Sequence, residues 1–266
     1  MNFDTAHLIC YSPTRTTFTT VQQIATGMAL PVTRNWDLTL PTGVPSDKTT
    51  IKGGITLIGV PVYAGRVAPM AAERLKSLKG NNTPAILVVV YGNRHYDGAL
   101  AELKTLAEAS GFVVVAGAAL LGEHSFSTPE KPIAEGRPDE NDKHAARQFG
   151  ASVMAKLEQV TDLSTLAPIE FPGTLPEGPY TGPANIAPEV DPSHCRHCGE
   201  CASHCPTAAI TMERIVTIDA SRCTVCCTCV KACPNGAIRF TVPKIQEITG
   251  VLHENCKTRR EPELFL

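Results

Sequence analysis

Nine of the chain's eleven cysteines lie between Cys195 and Cys233. Cys195, Cys198, Cys201 and Cys205 follow the spacing C-x2-C-x2-C-x3-C-P. Cys223, Cys226, Cys229 and Cys233 repeat it 28 residues on, with Pro206 and Pro234 in matching places. Three thiolates on one tight loop can reach three irons of a cubane, while the fourth opens a short helix that points away and ligates the other cluster. The expected assignment is therefore crossed. Cys195, Cys198, Cys201 and Cys233 hold one [4Fe–4S] cluster, and Cys223, Cys226, Cys229 and Cys205 hold the second. Each proline stops regular structure from running through the ligand and removes a competing N–H donor. Four-cysteine zinc sites also use C-x2-C pairs, but the third loop cysteine and the x3-C-P tail favour clusters. Cys227 fits no ligand position. A small side chain packed beside the cluster explains it better than a spare ligand or a redox-sensitive thiol. Cys10 reads as core, and Cys256 has no evident partner.

A second set of chemically useful residues lies near the other end. The segment "SPTRTTF" places Ser12, Thr14, Thr16 and Thr17 after an apolar run and before an amphipathic one. Hydroxyls combined with the free N–H groups of a helix start make a phosphate cradle. Neither a Walker A loop nor G-x-G-x-x-G is present. Two further loops are "PVYAGR", Pro61, Val62, Tyr63, Ala64, Gly65 and Arg66, and "YGNRHY", with Tyr91, Gly92, Asn93, Arg94 and Tyr96. Aromatic residues are only 5% of the chain, yet three of its five tyrosines fall here. Tyrosine faces and glycine backbones suit a flat isoalloxazine ring, and Arg and N–H groups could stabilise its reduced, anionic form. His124 in "GEHS" could serve as a proton donor beside a flavin, although a hydrogen-bonded loop histidine is the simpler reading. Arg147 reads as a solvated surface charge.

The elements that must carry these loops are legible as apolar runs at 6–11, 54–60, 85–91 and 111–117, with a weaker one at 32–40. Continuous Ile, Val and Leu without alternation predict strands buried on both faces. Helical faces separate them. Phe18, Val21, Ile24, Ala25 and Met28 share one. Leu100, Leu103, Leu106 and Ala107 share the next, with Asp97 placed to cap it. Ala146, Phe149, Val153, Leu157 and Val160 form the last. Strands alternating with helices imply a parallel α/β sheet, with ligands at the carboxyl ends of its strands.

The stretch from Pro192 to Phe240 resembles bacterial two-cluster ferredoxins, with "CPTAAI" and "CPNGAI" as aligned halves. Residues 6–160 resemble flavodoxins, whose FMN-phosphate motif [ST]-x-T-G-x-T is similar to the loop at 12–17. Arg15 stands where many flavodoxins have glycine. A positive φ there would cost about 1 kcal/mol, whereas a charge contact to the phosphate would be a gain. The whole chain resembles the flavodoxin–ferredoxin fusion proteins of anaerobic bacteria and archaea. That resemblance implies FMN plus two [4Fe–4S] clusters. It also implies a doubly wound five-stranded parallel sheet of order 2-1-3-4-5 followed by a small α+β two-cluster domain. The expected boundaries are 1–164 for the FMN domain, 165–190 for a Pro/Gly-rich extended linker, 191–242 for the ferredoxin domain and 243–266 for a tail.

The formal charge of -2 and the absence of a long basic run give no case for nucleic acid. No apolar run approaches the ~20 residues of a membrane span, and the N-terminus lacks the features of a signal peptide. A cytoplasmic location is expected, which disfavours structural disulfides. The expected function is electron transfer between FMN and the clusters, linking two-electron and one-electron redox protein partners. A homodimer or a place in a larger redox complex is compatible. With no nucleophile or general-base pair in sight, a carrier is expected over an enzyme. The alternative is an FMN-dependent reductase of a quinone or other small acceptor.

Overall fold

A computed structural model describes residues 3–266. The first part runs β1 (Ala6–Cys10), α1 (Thr16–Met28), β2 (Val32–Asp37), β3 (Thr49–Ile51), β4 (Ile55–Tyr63), β5 (Arg66–Val67) and α2 (Pro69–Leu75). It continues with β6 (Leu78–Gly80), β7 (Thr83–Tyr91), α3 (Ala99–Ala109), β8 (Phe112–Leu121) and α4 (Glu140–Glu158). Then come β9 (Glu189–Val190), α5 (Glu200–Ser203), β10 (Ile210–Met212), β11 (Val216–Ile218), α6 (Thr228–Ala232) and β12 (Ile238–Arg239). The chain closes with α7 (Pro243–Asn255) and β13 (Glu263–Phe265).

β2, β1, β4, β7 and β8 lie side by side and parallel. Numbered as the chain lays them down, this is the order 2-1-3-4-5 of the doubly wound flavodoxin-like fold. β7 is buried along all nine residues, which is why its sequence is a continuous apolar run. β2 lies at the edge and is mostly exposed, which explains its weak signal. α1 and α4 cover one face over a core that includes Ile24, Leu57, Ile86 and Phe149. α2 and α3 cover the other, over Ile58, Leu87, Leu100 and Leu103. α1 and α4 meet backbone to backbone: a Cβ on Gly27 would stand 1.9 Å from the Arg147 carbonyl oxygen. Arg147 is not simply solvated, since its guanidinium donates to Gln23 across that seam. Asp97 does not cap α3. The cap residue is Gly98, without a side-chain bond, and the Asp97 carboxylate pairs with Arg94 instead.

The sheet is larger than the five strands expected. β13 adds antiparallel to β8, with Glu263 opposite Ala119 and Phe265 opposite Gly117, and β5 turns back on β4 as a hairpin. The segment between the two domains lies along the first. The Phe171 ring packs on Gly117, and Arg66 donates to the Gly178 carbonyl at 2.7 Å.

The cysteine module is built twice over. β10 pairs with β11 and β12 with β9, both antiparallel. Asp191 accepts from the backbone N–H of Ser193 at 2.9 Å and Asp219 from that of Ser221 at 2.9 Å. The Asp191 and Asp219 carbonyls accept from the N–H of Cys195 and Cys223, each at 3.0 Å. The Ala209 and Ala237 N–H groups reach the Sγ atoms of Cys205 and Cys233, each at 3.3 Å. These matched bonds give the two halves the same local geometry.

Candidate cofactor site

The loop after β1 is held from below. The Ser12 N–H donates to Thr39 Oγ1 at 2.8 Å, and Ser12 Oγ accepts from the Phe18 N–H at 3.0 Å. Ser12 is thereby a buried brace. Arg15 takes φ 67 at the N-cap of α1, the left-handed conformation that costs an L-residue about 1 kcal/mol. Its guanidinium turns to Asp37 at 2.7 Å and lies over the Phe18 ring, so it makes no charge contact inside the loop. Thr14, Thr16 and Thr17 line a small cavity of about 50 Å³ with Pro61, Val62, Tyr63, Tyr91, Gly92 and His124. The Thr17 hydroxyl is buried and has no hydrogen-bond partner among the described residues. An unsatisfied hydroxyl in a cavity at a helix start is compatible with an anion there.

This cavity shares Val62, Tyr63, His124 and Ser125 with a wider cleft of about 270 Å³. The cleft's other walls include Ala64, Arg94, Phe126, Tyr180, Thr224, Val225, Ile248 and Leu252. His124 packs directly on Gly92, where a Cβ would come within 2.4 Å of its ring. Its Nδ1 accepts from the Phe126 N–H at 3.0 Å, which leaves the proton of the neutral ring on Nε2. Burial, and then the charges of Lys231 and Arg94, lower its pKa to about 4. His124 is therefore a neutral hydrogen-bonding group, not a proton donor titrating near neutrality.

Other residues of these loops are used elsewhere. Gly65 makes the β4–β5 turn at φ 77. Arg66 pairs with Glu102 at 2.8 Å. Asn93 is buried and binds the tail, donating to the carbonyls of Cys256 and Thr258 and accepting from the Arg260 N–H. Tyr96 packs on Tyr91, and its hydroxyl donates to Glu263 at 2.7 Å. Tyr180, Thr224, Val225 and the α7 residues were not singled out from the sequence. Ile245, Ile248, Thr249 and Leu252 carry helical spacing that would have revealed α7, though not where it docks.

Cys195, Cys198, Cys201 and Cys233 surround one cavity; Cys205, Cys223, Cys226 and Cys229 surround another. Among the described residues no three His, Cys, Asp or Glu side chains converge closely enough for a single ion. Burial, aggravated by neighbouring thiols, pushes Cys223 up to about 11 and raises Cys201, Cys226 and Cys229 as well. Thiols so placed become thiolates only with bound positive charge, so the donor set fits an iron–sulfur group. Cys227 is buried at φ 62 in the position where the first motif has Gly199 at φ 84. Cys256 is buried at the end of α7, and Cys10 is buried in β1.

The second cavity adjoins the strand ends. The buried hydroxyls of Tyr11 and Thr224 lie near each other at the seam, and neither has a hydrogen-bond partner among the described residues. Burial, and then the nearby Cys226, raises the Tyr63 hydroxyl far above the ordinary tyrosine range. Arg74 clamps the seam, donating to the carbonyls of Leu38 at 2.7 Å, Thr39 at 2.6 Å and Pro206 at 2.6 Å. Lys231 pairs with Glu123 at 2.6 Å.

The family described as "4Fe-4S binding domain" matches residues 188–211 and 216–239. The chain is thus a flavodoxin-like α/β domain, by strand order, followed by a ferredoxin-type 4Fe–4S domain. Similar solved structures include oxidised flavodoxin 1 from Bacillus cereus (14% identity, 59% of this chain and 99% of that one, TM-score 0.42). A flavodoxin from the domain Archaea is 11% identical over 58% of this chain and 99% of its own, with TM-score 0.36. The Flv1 flavodiiron core from Synechocystis is 14% identical over 58% of this chain, with TM-score 0.40; the match spans only 36% of that chain. No curated protein matches the chain.

Proposed function

We propose that the protein carries electrons between an FMN bound at the strand ends and two [4Fe–4S] clusters bound by the crossed cysteine quartets. The observation that carries this reading is the cleft shared by Tyr63 and His124 on one side and Thr224 and Val225, beside Cys223 and Cys226, on the other. When bound, FMN exchanges one or two electrons and each cluster one, so together they link two-electron and one-electron partners. Thr14, Thr16, Thr17 and the first N–H groups of α1 hold the terminal phosphate. Tyr63 and Gly92 offer a face and a close backbone approach to the ring, and His124 offers a fixed Nε2–H. Val225, Ile248 and Leu252 keep water from the cleft. The division into an FMN domain, linker, ferredoxin domain and tail belongs to the same reading.

The outer quartet includes the exposed Cys198, with Met212 (37% exposed) and Ile215 (64% exposed) on the adjoining hairpin. This surface suits a redox protein partner or a neighbouring subunit of a larger complex.

Anaerobic protein reconstituted with iron, sulfide and flavin tests the reading. Extraction should return FMN, not FAD. Thr17→Val should weaken FMN binding about fivefold, the equivalent of about 1 kcal/mol for one hydrogen bond, without destabilising the flavin-free protein. In stopped-flow reduction the flavin and iron–sulfur bands should change at rates independent of protein concentration. A rate that scales with concentration overturns the proposal.

A further inference from the structure

A second cleft on the domain seam is distinct from the one assigned to FMN. It measures about 340 Å³, within the ~300–1,000 Å³ of small-molecule sites. Phe126 stands between the two clefts and lines both. On the far side of Phe126 the walls are the loop after β8, the ferredoxin-domain residues Cys227 and Phe240, and α7.

The chemistry of the lining is selective. Phe126 and Phe240 form an edge-to-face pair with centroids 6.2 Å apart, an apolar platform that favours another ring. The hydroxyls of Ser127, Thr128 and Thr249 are taken up by local backbone bonds. Lys131 and Arg239 also line the cleft, and neither pairs with a carboxylate among the described residues. The Lys131 ammonium lies against α7, 3.5 Å from where a Cβ on Gly250 would stand. Glu130 is the single acid on the rim, so the two cations leave the cleft net positive.

A separate observation concerns Cys227. Where the first motif has a glycine facing open space, the second keeps a side chain at φ 62, a conformation that costs an L-residue free energy. That side chain lines both this cleft and the cavity of Cys205, Cys223, Cys226 and Cys229. With Phe240, which also lines both, it forms the partition between them.

We propose that this cleft binds a planar ring compound bearing an anionic group. The ring lies on the Phe126–Phe240 pair beside the Cys227 partition, and the anion is held by Lys131 and Arg239. The proposal does not depend on the assignment of FMN to the other cleft.

Calorimetric titration of the full-length, cluster-loaded protein with anthraquinone-2-sulfonate, with and without saturating FMN, tests it. One saturable site, unchanged by FMN, is expected. Lys131→Ala with Arg239→Ala should weaken binding at least tenfold, and Gln246→Trp, which fills the cleft from its α7 wall, should abolish it. Lys48→Ala, on the exposed surface, should have no effect. An unchanged iron–sulfur spectrum shows that each variant is folded. Absence of saturable binding, competition by FMN, or a double variant that binds like the parent overturns the proposal. Binding of the ring compound in protein that fails to take FMN would sink the flavin assignment and leave this one standing.

Discussion

The two halves of the ferredoxin domain share a spacing, a set of Asp–Ser bonds and N–H contacts to their fourth thiols, yet they face different surroundings. The outer quartet has an exposed cysteine and an exposed apolar hairpin beside it. The inner quartet lies against Tyr11, Tyr63 and Arg74 of the α/β domain. Gly199 of the outer motif meets open space; Cys227, its counterpart, is buried. Duplication supplies two equal cages, and domain docking makes them unequal. Burial and hydrogen bonding tune cluster potentials, so the same ligand spacing is set in two different environments.

The largest expected effect separates the cages. Cys205→Ser should remove the inner cluster and Cys233→Ser the outer, each lowering iron from about eight to about four per chain. Iron analysis with electron paramagnetic resonance reads this. If Cys205→Ser spares the cluster of Cys223, Cys226 and Cys229, the crossed pairing is wrong. Next, Arg74→Ala strips one carbonyl contact to the inner cage and two within the α/β domain, and none from the outer side. It should cost roughly 2 kcal/mol in urea denaturation and leave the outer cluster's spectrum untouched.

A smaller contrast lies at the matched turn. Gly199→Ala should cost about 1 kcal/mol, through backbone conformation alone. Cys227→Gly relieves the same strain but empties a buried position, so its net effect should stay within about 0.5 kcal/mol. Equal losses at both positions would mean that the turns are not equivalent. Last, Lys231 of the inner helix helps hold His124 neutral, an influence the outer helix cannot exert. The folded pKa of about 4 lies below the ordinary 6.5. The associated stability is therefore complete above about pH 6.5 and lost as pH falls towards 4. His124→Asn should flatten the stability profile in that window, by an amount reduced by the ring's partial exposure.

The iron–sulfur module was legible because cluster ligation compresses its requirements into short, fixed spacings. The strands were legible because a doubly covered parallel strand must be apolar on both faces. The loops of the α/β domain were harder. Asn93 and Tyr96 look like ring-binding residues by type, but their polar atoms serve the returning tail. Ser12 and Arg15 belong to the loop yet turn their side chains inward and sideways. β13 has three residues, too few for any periodicity, and its partner lies far upstream in the chain. Nor does the spacing of α7 reveal that its apolar face closes clefts formed by two other segments.

The returning tail changes the topology of the joint. Phe171 pins the chain to the sheet before the cysteine module, and β13 pins it to the same sheet after. The module is therefore less an appendage than a loop with both feet on one foundation. A body hung from one strand can swing through a wide arc; hung from two, it can only rock. The entropy lost in docking is largely surrendered when the second foot lands, so the seam needs few contacts of its own to stay closed. Freeing β13 would restore the swing without altering a single cysteine.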